Sequence, residues 1–239
     1  MNRQDIRGVL FDKDGTLLHF EESWGRTNQS AALLAAGGEK GLAQQLLVAA
    51  GVDPDTGKTR SGSVLAAGNS SEIAELWAAA GARMPETQLV AELDVLFGSS
   101  MQTASAIEGT ATLLEMLKAK GLILGVASSD SEAAIRVFLQ TTGLAHLFDF
   151  VTGYDTGHGH KPSPGMLDAF CRSCDLASAS VAVVGDNPQD ILMARQGRAG
   201  LAIGVLTGTG SEEELKSLAD VVLADITGLT ALFGLTAAG

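Results

Sequence analysis

Apolar residues recur along this chain in two rhythms. Short continuous runs bounded by turn residues occur at Ile6–Phe11, Leu122–Ala127, Phe148–Thr152, Val181–Val184 and Leu201–Ile203, with Asp220–Leu223 as a sixth candidate. Such runs suit strands buried on both faces. Helical spacing lies between them. Glu108–Lys120 places Leu113, Leu114 and Leu117 on one side and is followed by Gly121, which suits a helix end. Ser131–Thr142 gathers Ala134, Val137, Phe138 and Thr141 and stops before Gly143. Pro188–Gln196 and Asp225–Phe233 are further helices. Alternation of this kind predicts an α/β fold, a parallel sheet covered on both faces.

The stretch between the first two strands breaks the alternation. It has helical patterns at Trp24–Ala36, Lys40–Ala50, Ser71–Ala80 and Pro85–Gln102, a polar turn-rich segment at Gly51–Ser63, and no convincing strand. An all-helical cap inserted after the first strand is expected, spanning 19–105, with 1–18 and 106–239 forming the α/β unit.

At 239 residues, the chain can bury a full core beside such an insertion. No apolar run approaches a membrane span, and the N-terminal residues lack a secretory pattern, so a cytoplasmic protein is expected. A net charge of −12 argues against nucleic acid or an anionic membrane as partner. A monomer or homodimer is expected. Cys171 and Cys174 make a C-x-x-C pair, but Met166, Leu167 and Phe170 share their stripe, with Pro164 at the first turn. No second pair exists to complete a zinc site, so both are read as packing residues.

The candidate chemistry sits at the predicted strand ends. "FDKDGT" puts Asp12 and Asp14 after the first strand, with Gly15 to turn the backbone. The second strand ends in Ser128 and Ser129, and "GDNPQD" puts Asp186 and Asp190 after the fourth. "GHGHKPSPG" carries Lys161 between them. In an open parallel sheet, ligands gather outside the carboxyl ends of the strands. Three carboxylates from two strand ends suit a hard cation such as Mg²⁺. One could attack a phosphoryl group if the cation and a lysine neutralise it. Asp14, two residues on, could protonate the leaving alcohol and then deprotonate a water. Ser128 and nearby backbone N–H groups would hold phosphate oxygens.

These four motifs, in this order, resemble the haloacid dehalogenase superfamily of phosphatases: "DKDGT" for D-x-D-G-T, Ser128 after an apolar strand, Lys161 in "KPSP", and "GDNPQD" for G-D-x-x-x-D. The resemblance covers essentially the whole chain, and "GYDTGHGHKPSPG" is most similar to the phosphoglycolate phosphatase subgroup. It implies a Rossmann-like core under a helical cap. It implies Asp12 as nucleophile and metal ligand, Asp14 as general acid/base with its backbone carbonyl on the metal, and Asp186 as a third ligand. Asp190 would orient a metal-bound water or Lys161, and Lys161 would bridge phosphate and Asp12. Ser129 departs from the Asn common at its position, which bears on how the substrate side is held.

The expectation is a Mg²⁺-dependent phosphatase of a small phosphorylated metabolite, with phosphoglycolate favoured. Its carboxylate would need a cation from the cap, and Arg26 and Arg60 are the candidates. His19, at the hinge into the cap, is a candidate for the pocket wall. His158 and His160 read as solvated loop residues, and Trp24 and Lys58 as packing or surface. A dehalogenase has no use for Asp14 or a metal. A phosphonate hydrolase needs a cap lysine in an apolar setting, which neither Lys40 nor Lys58 has. A sugar phosphomutase shares every core residue. A non-catalytic phospho-ligand binding module would be expected to have lost some of the motif acids.

Overall fold

A computed structural model of the chain describes residues 5–235. Six parallel strands form one sheet: β1 (Gly8–Phe11), β2 (Ile123–Ala127), β3 (Phe150–Thr152), β4 (Val181–Gly185), β5 (Leu201–Val205) and β6 (Val221–Leu223), in the order β3-β2-β1-β4-β5-β6. β1 is central, with Phe11 registered against Val126 of β2 and Val184 of β4. The order reverses at β1, so the crevice opens where β1, β2 and β4 end.

Eleven helices are described: α1 (Phe20–Ala35), α2 (Lys40–Ala49), α3 (Val64–Ala67), α4 (Ser70–Ala79), α5 (Glu86–Ser100), α6 (Thr110–Ala119), α7 (Glu132–Thr141), α8 (Gly165–Ser173), α9 (Pro188–Gln196), α10 (Glu212–Leu218) and α11 (Leu229–Leu232). The first five all lie between β1 and β2, as the missing alternation predicts. α8, α9 and α10 cover one face of the sheet through Met166, Leu167, Phe170, Ile191 and Leu215. The other face packs on α6, α7 and α11, and its apolar cluster runs on without interruption into the cap through Trp24, Leu46, Trp77, Leu89 and Phe97. The α8 stripe is as expected: Cys171 is buried, Cys174 half-buried, and both are free thiols. No described helix is long and apolar enough to cross a membrane.

Three departures from the sequence pattern have local causes. α10 starts with a capping box, in which Ser211 accepts from the Glu214 N–H and the Glu214 side chain accepts from the Ser211 N–H. Its only buried residue is Leu215, too little for a periodic signal. α3 is four residues long, below what periodicity can detect. The closing helix shrinks to α11, preceded by a 3₁₀ turn at Ile226–Gly228.

Candidate active site

The strand ends deliver the acids to one place. The Asp12 N–H donates to the Val184 carbonyl at 2.8 Å, so Asp12 continues the β1–β4 ladder by one residue. The chain then turns at Gly15, whose φ of +78° favours glycine. A Cβ there would also lie 2.6 Å from the Asp186 carboxyl carbon. Asp186 follows β4 and accepts from the Thr209 N–H at 2.8 Å, while the Thr207 hydroxyl donates to the Gly15 carbonyl at 2.6 Å. The loop after β5 thus pins the β1 and β4 loops together.

Oxygens of Asp12, Asp186 and Asp190 lie within 4.8 Å of one another, all three residues buried. Lys161 donates to Asp12 and to Asp190 at 2.6 Å each. Asp190 stands in the first turn of α9, where its other oxygen accepts from the Asn187 N–H at 3.1 Å. It is therefore a helix cap and a lysine partner at once. Burial raises the Asp12 carboxyl, Lys161 pulls it down, and Asp190 and Asp14 push it up again, leaving it at about 7. Asp186 is raised by burial and then by Asp12 and Asp190. Burial opposes the charge on Lys161, yet its two carboxylates hold the ammonium above the ordinary lysine value.

Asp14 has a different setting. One oxygen accepts from Lys13 at 2.6 Å and from the indole N–H of Trp24, on α1 of the cap, at 2.7 Å. The other lies 3.3 Å from the Ser128 hydroxyl. Lys13 is fully buried, 3.2 Å from Asp130 and 5.3 Å from the centre of the Trp24 ring. Burial, then the pull of Lys13 against the push of Asp14, leaves Asp130 at about 6.

Five buried or half-buried acids, Asp12, Asp14, Asp130, Asp186 and Asp190, thus share two lysines, Lys13 and Lys161. That imbalance and the all-oxygen donor set of Asp12, Asp186 and Asp190 fit a divalent cation. The acids border an open cavity with room of about 60 Å³ for the centres of water-sized molecules.

Asp12, Asp14, Ser128, Ser129, Lys161, Asp186 and Asp190 all line this cavity. Ser129 spends its hydroxyl on the Ala67 carbonyl at 2.8 Å, tying the core to the end of α3. Neither Arg26 nor Arg60, expected to face the site when the cap closes, lines the cavity in this structure. Arg60 is exposed and donates to the Gly51 and Val48 carbonyls at the end of α2, and Arg26 lies exposed on α1. His19 is exposed at the N-cap of α1, and it too is absent from the wall. His158 and His160 stay in the loop before Lys161, outside the acidic cluster. Sequence reasoning passes over Lys13 and Asp130, and it reads Trp24 as packing or surface, whereas its indole N–H donates to Asp14. The signal available for Lys13 was its place between the two acids, where a strand-end side chain is buried.

Known proteins are similar to this chain in sequence and in fold. A family profile described as haloacid dehalogenase-like hydrolase matches residues 6–198. The chain is 30% identical over 236 residues to a phosphoglycolate phosphatase of Yersinia pseudotuberculosis, covering 96% of this chain and 94% of the relative. It is 34% identical over 122 residues to a phosphoglycolate phosphatase of Rhodospirillum rubrum, where it spans about half the relative's length, 50%. Its fold is similar to the crystal structure of CbbY from Rhodobacter sphaeroides in complex with phosphate, with a TM-score of 0.71, 20% identity, and coverage of 94% and 96% of the two chains. By profile, by full-length relative and by fold, the chain belongs to the haloacid dehalogenase-like hydrolase family.

Proposed function

We propose that the protein is a Mg²⁺-dependent phosphatase of a small phosphorylated metabolite, working through an aspartyl-phosphate on Asp12. The observation that carries this reading is the convergence of Asp12, Asp186 and Asp190 with Lys161 at the carboxyl ends of β1 and β4. Mg²⁺ held by Asp12, Asp186 and the Asp14 carbonyl would neutralise charge on the phosphoryl group. An Asp12 oxygen attacks phosphorus, the ester P–O bond breaks, and the leaving oxygen takes a proton from Asp14. Water then attacks the same phosphorus and gives its proton to Asp14. The bond to Asp12 breaks and its carboxylate is restored. Lys161 orients Asp12 and neutralises a phosphate oxygen, and the Ser128 hydroxyl holds another. The helices α1–α5 act as a cap, within residues 19–105, which excludes bulk water and chooses the leaving group.

The names of the relatives support a small phosphorylated substrate. Phosphoglycolate itself has weaker support here, because neither Arg26 nor Arg60 lines the cavity. Phosphate release from p-nitrophenyl phosphate, with and without Mg²⁺, tests the reading in the wild type and in Asp12→Asn. Mg²⁺-dependent release that falls by several powers of ten in the variant is expected. Turnover without metal, or near-normal turnover in a folded Asp12→Asn protein, overturns it.

A further inference from the structure

Much of the remaining cavity wall is built from the cap. Its apolar members include Phe20, Trp24, Leu65, Ile73 and Phe97. Among the described residues, no lysine, arginine or histidine of the cap lines it. The N-terminus of α4 borders it at Gly68–Ser70, but the N–H groups of Gly68, Asn69, Ser71 and Glu72 are engaged. The Asn69 side chain accepts from the Ser71 and Glu72 N–H groups, and the Glu72 carboxylate accepts from the Asn69 backbone and amide N–H. A carboxylate already sits at that helix end, which disfavours a second anion there.

One buried side-chain group on this wall has no partner among the described residues. Asn28 lies on α1, one turn beyond Trp24, and is 97% buried by virtue of its 3% relative exposure. It lines the cavity, and its Nδ2 is buried without a hydrogen bond. A buried amide left unpaired is costly, and a ligand that satisfies it is selected. A hydroxyl both donates and accepts, so it pairs with an amide in either orientation. A carboxylate accepts only, and it would enter a cavity already crowded with acids.

Resting on the phosphatase reading above, we infer that the leaving group is a neutral alcohol with an apolar carbon body and a second hydroxyl, which Asn28 binds. Asn28 is then the residue that reads the substrate, and a second negative charge is rejected.

Matched pairs of esters test this with purified protein and Mg²⁺. 2-Hydroxyethyl phosphate and 2-phosphoglycolate differ in a hydroxyl against a carboxylate, and 4-hydroxybutyl phosphate and butyl phosphate differ in the second hydroxyl alone. The wild type should prefer the hydroxyethyl ester to phosphoglycolate by about tenfold or more in kcat/KM, and the hydroxybutyl ester to the butyl ester by about tenfold. Asn28→Leu should collapse the second ratio, mainly through KM. Phosphoglycolate turned over as well as the hydroxyethyl ester, or a hydroxybutyl preference that survives in Asn28→Leu, overturns the inference while phosphate release itself leaves the phosphatase reading standing. The wild-type comparison needs no variant, so a misfolded Asn28→Leu does not shelter it. No Mg²⁺-dependent release from any ester, p-nitrophenyl phosphate included, overturns both.

Discussion

A carboxyl group such as Asp12, buried beside Asp14, Asp186 and Asp190, holds its proton to about 7, chiefly because burial penalises its charge. A metal ligand must give that proton up. Its pKa is raised, so the protonated form dominates below about 7 and competes with the cation there. Mg²⁺ affinity should therefore rise between about pH 6 and about pH 8, with protons released on binding. Calorimetric titration in buffers of different ionisation heat measures both, and pH-independent binding without proton release would mean the carboxylates are already ionised. Asp14 gives a second prediction. Trp24→Phe keeps a ring against Phe97, whose centroid is 5.0 Å away, but removes the 2.7 Å indole hydrogen bond to Asp14. We expect kcat for an aryl phosphate to fall about tenfold while KM changes little, since a loosened acid/base group affects chemistry more than binding. An unchanged kcat would show that Lys13 and Ser128 position Asp14 without the indole. The motif acids and Lys161 were legible because a strand end aims its side chains at the crevice. Lys13, Asp130 and Asn28 were not. Lys13 meets Asp130 only after folding brings β1 and β2 side by side, and a buried lysine looks like a surface one in sequence.

Among the elements, the strands were the most legible, since each buried run stands between turn residues and meets helices on both faces of the sheet. α10 shows the converse. Its Ser211–Glu214 box was readable, but one buried leucine offers no period to follow. The same capping chemistry in α4 carries a prediction. Asn69 accepts from two N–H groups at 3.0 and 3.1 Å and its own N–H is capped by Glu72. Asn69→Ala should cost about 1 kcal/mol of stability, read as a lower urea midpoint with an unchanged slope, and Asn69→Ser should restore most of it. If both variants match the wild type, packing of Ile73, Ala74 and Trp77 holds α4 without its cap.

For the whole molecule, the sequence suggests an α/β unit and a separate helical cap, because the two differ in rhythm. How firmly they are joined was not legible, since it depends on contacts between residues far apart in the chain. The apolar cluster on one face of the sheet is continuous with that of the cap, from Leu124 and Phe138 through Met101 to Trp24 and Trp77. Polar ties reinforce it: Trp24 to Asp14, Ser129 to Ala67, and the Tyr154 hydroxyl to Asp94 at 3.0 Å. Separating the two would expose a shared core and strand the buried Lys13 and Asp14 without their cap partners. The chain should therefore unfold as one unit. Both tryptophans belong to the cap, whereas the sheet lies wholly outside it. Tryptophan fluorescence and far-ultraviolet circular dichroism should give the same midpoint in urea, with one calorimetric transition. Mg²⁺ should raise that single midpoint, because a cation bound only by the folded acids stabilises the whole cooperative unit. A fluorescence transition that precedes the loss of the sheet, or a Mg²⁺ shift confined to one of two transitions, would mean that the cap folds on its own and the shared core does not couple them.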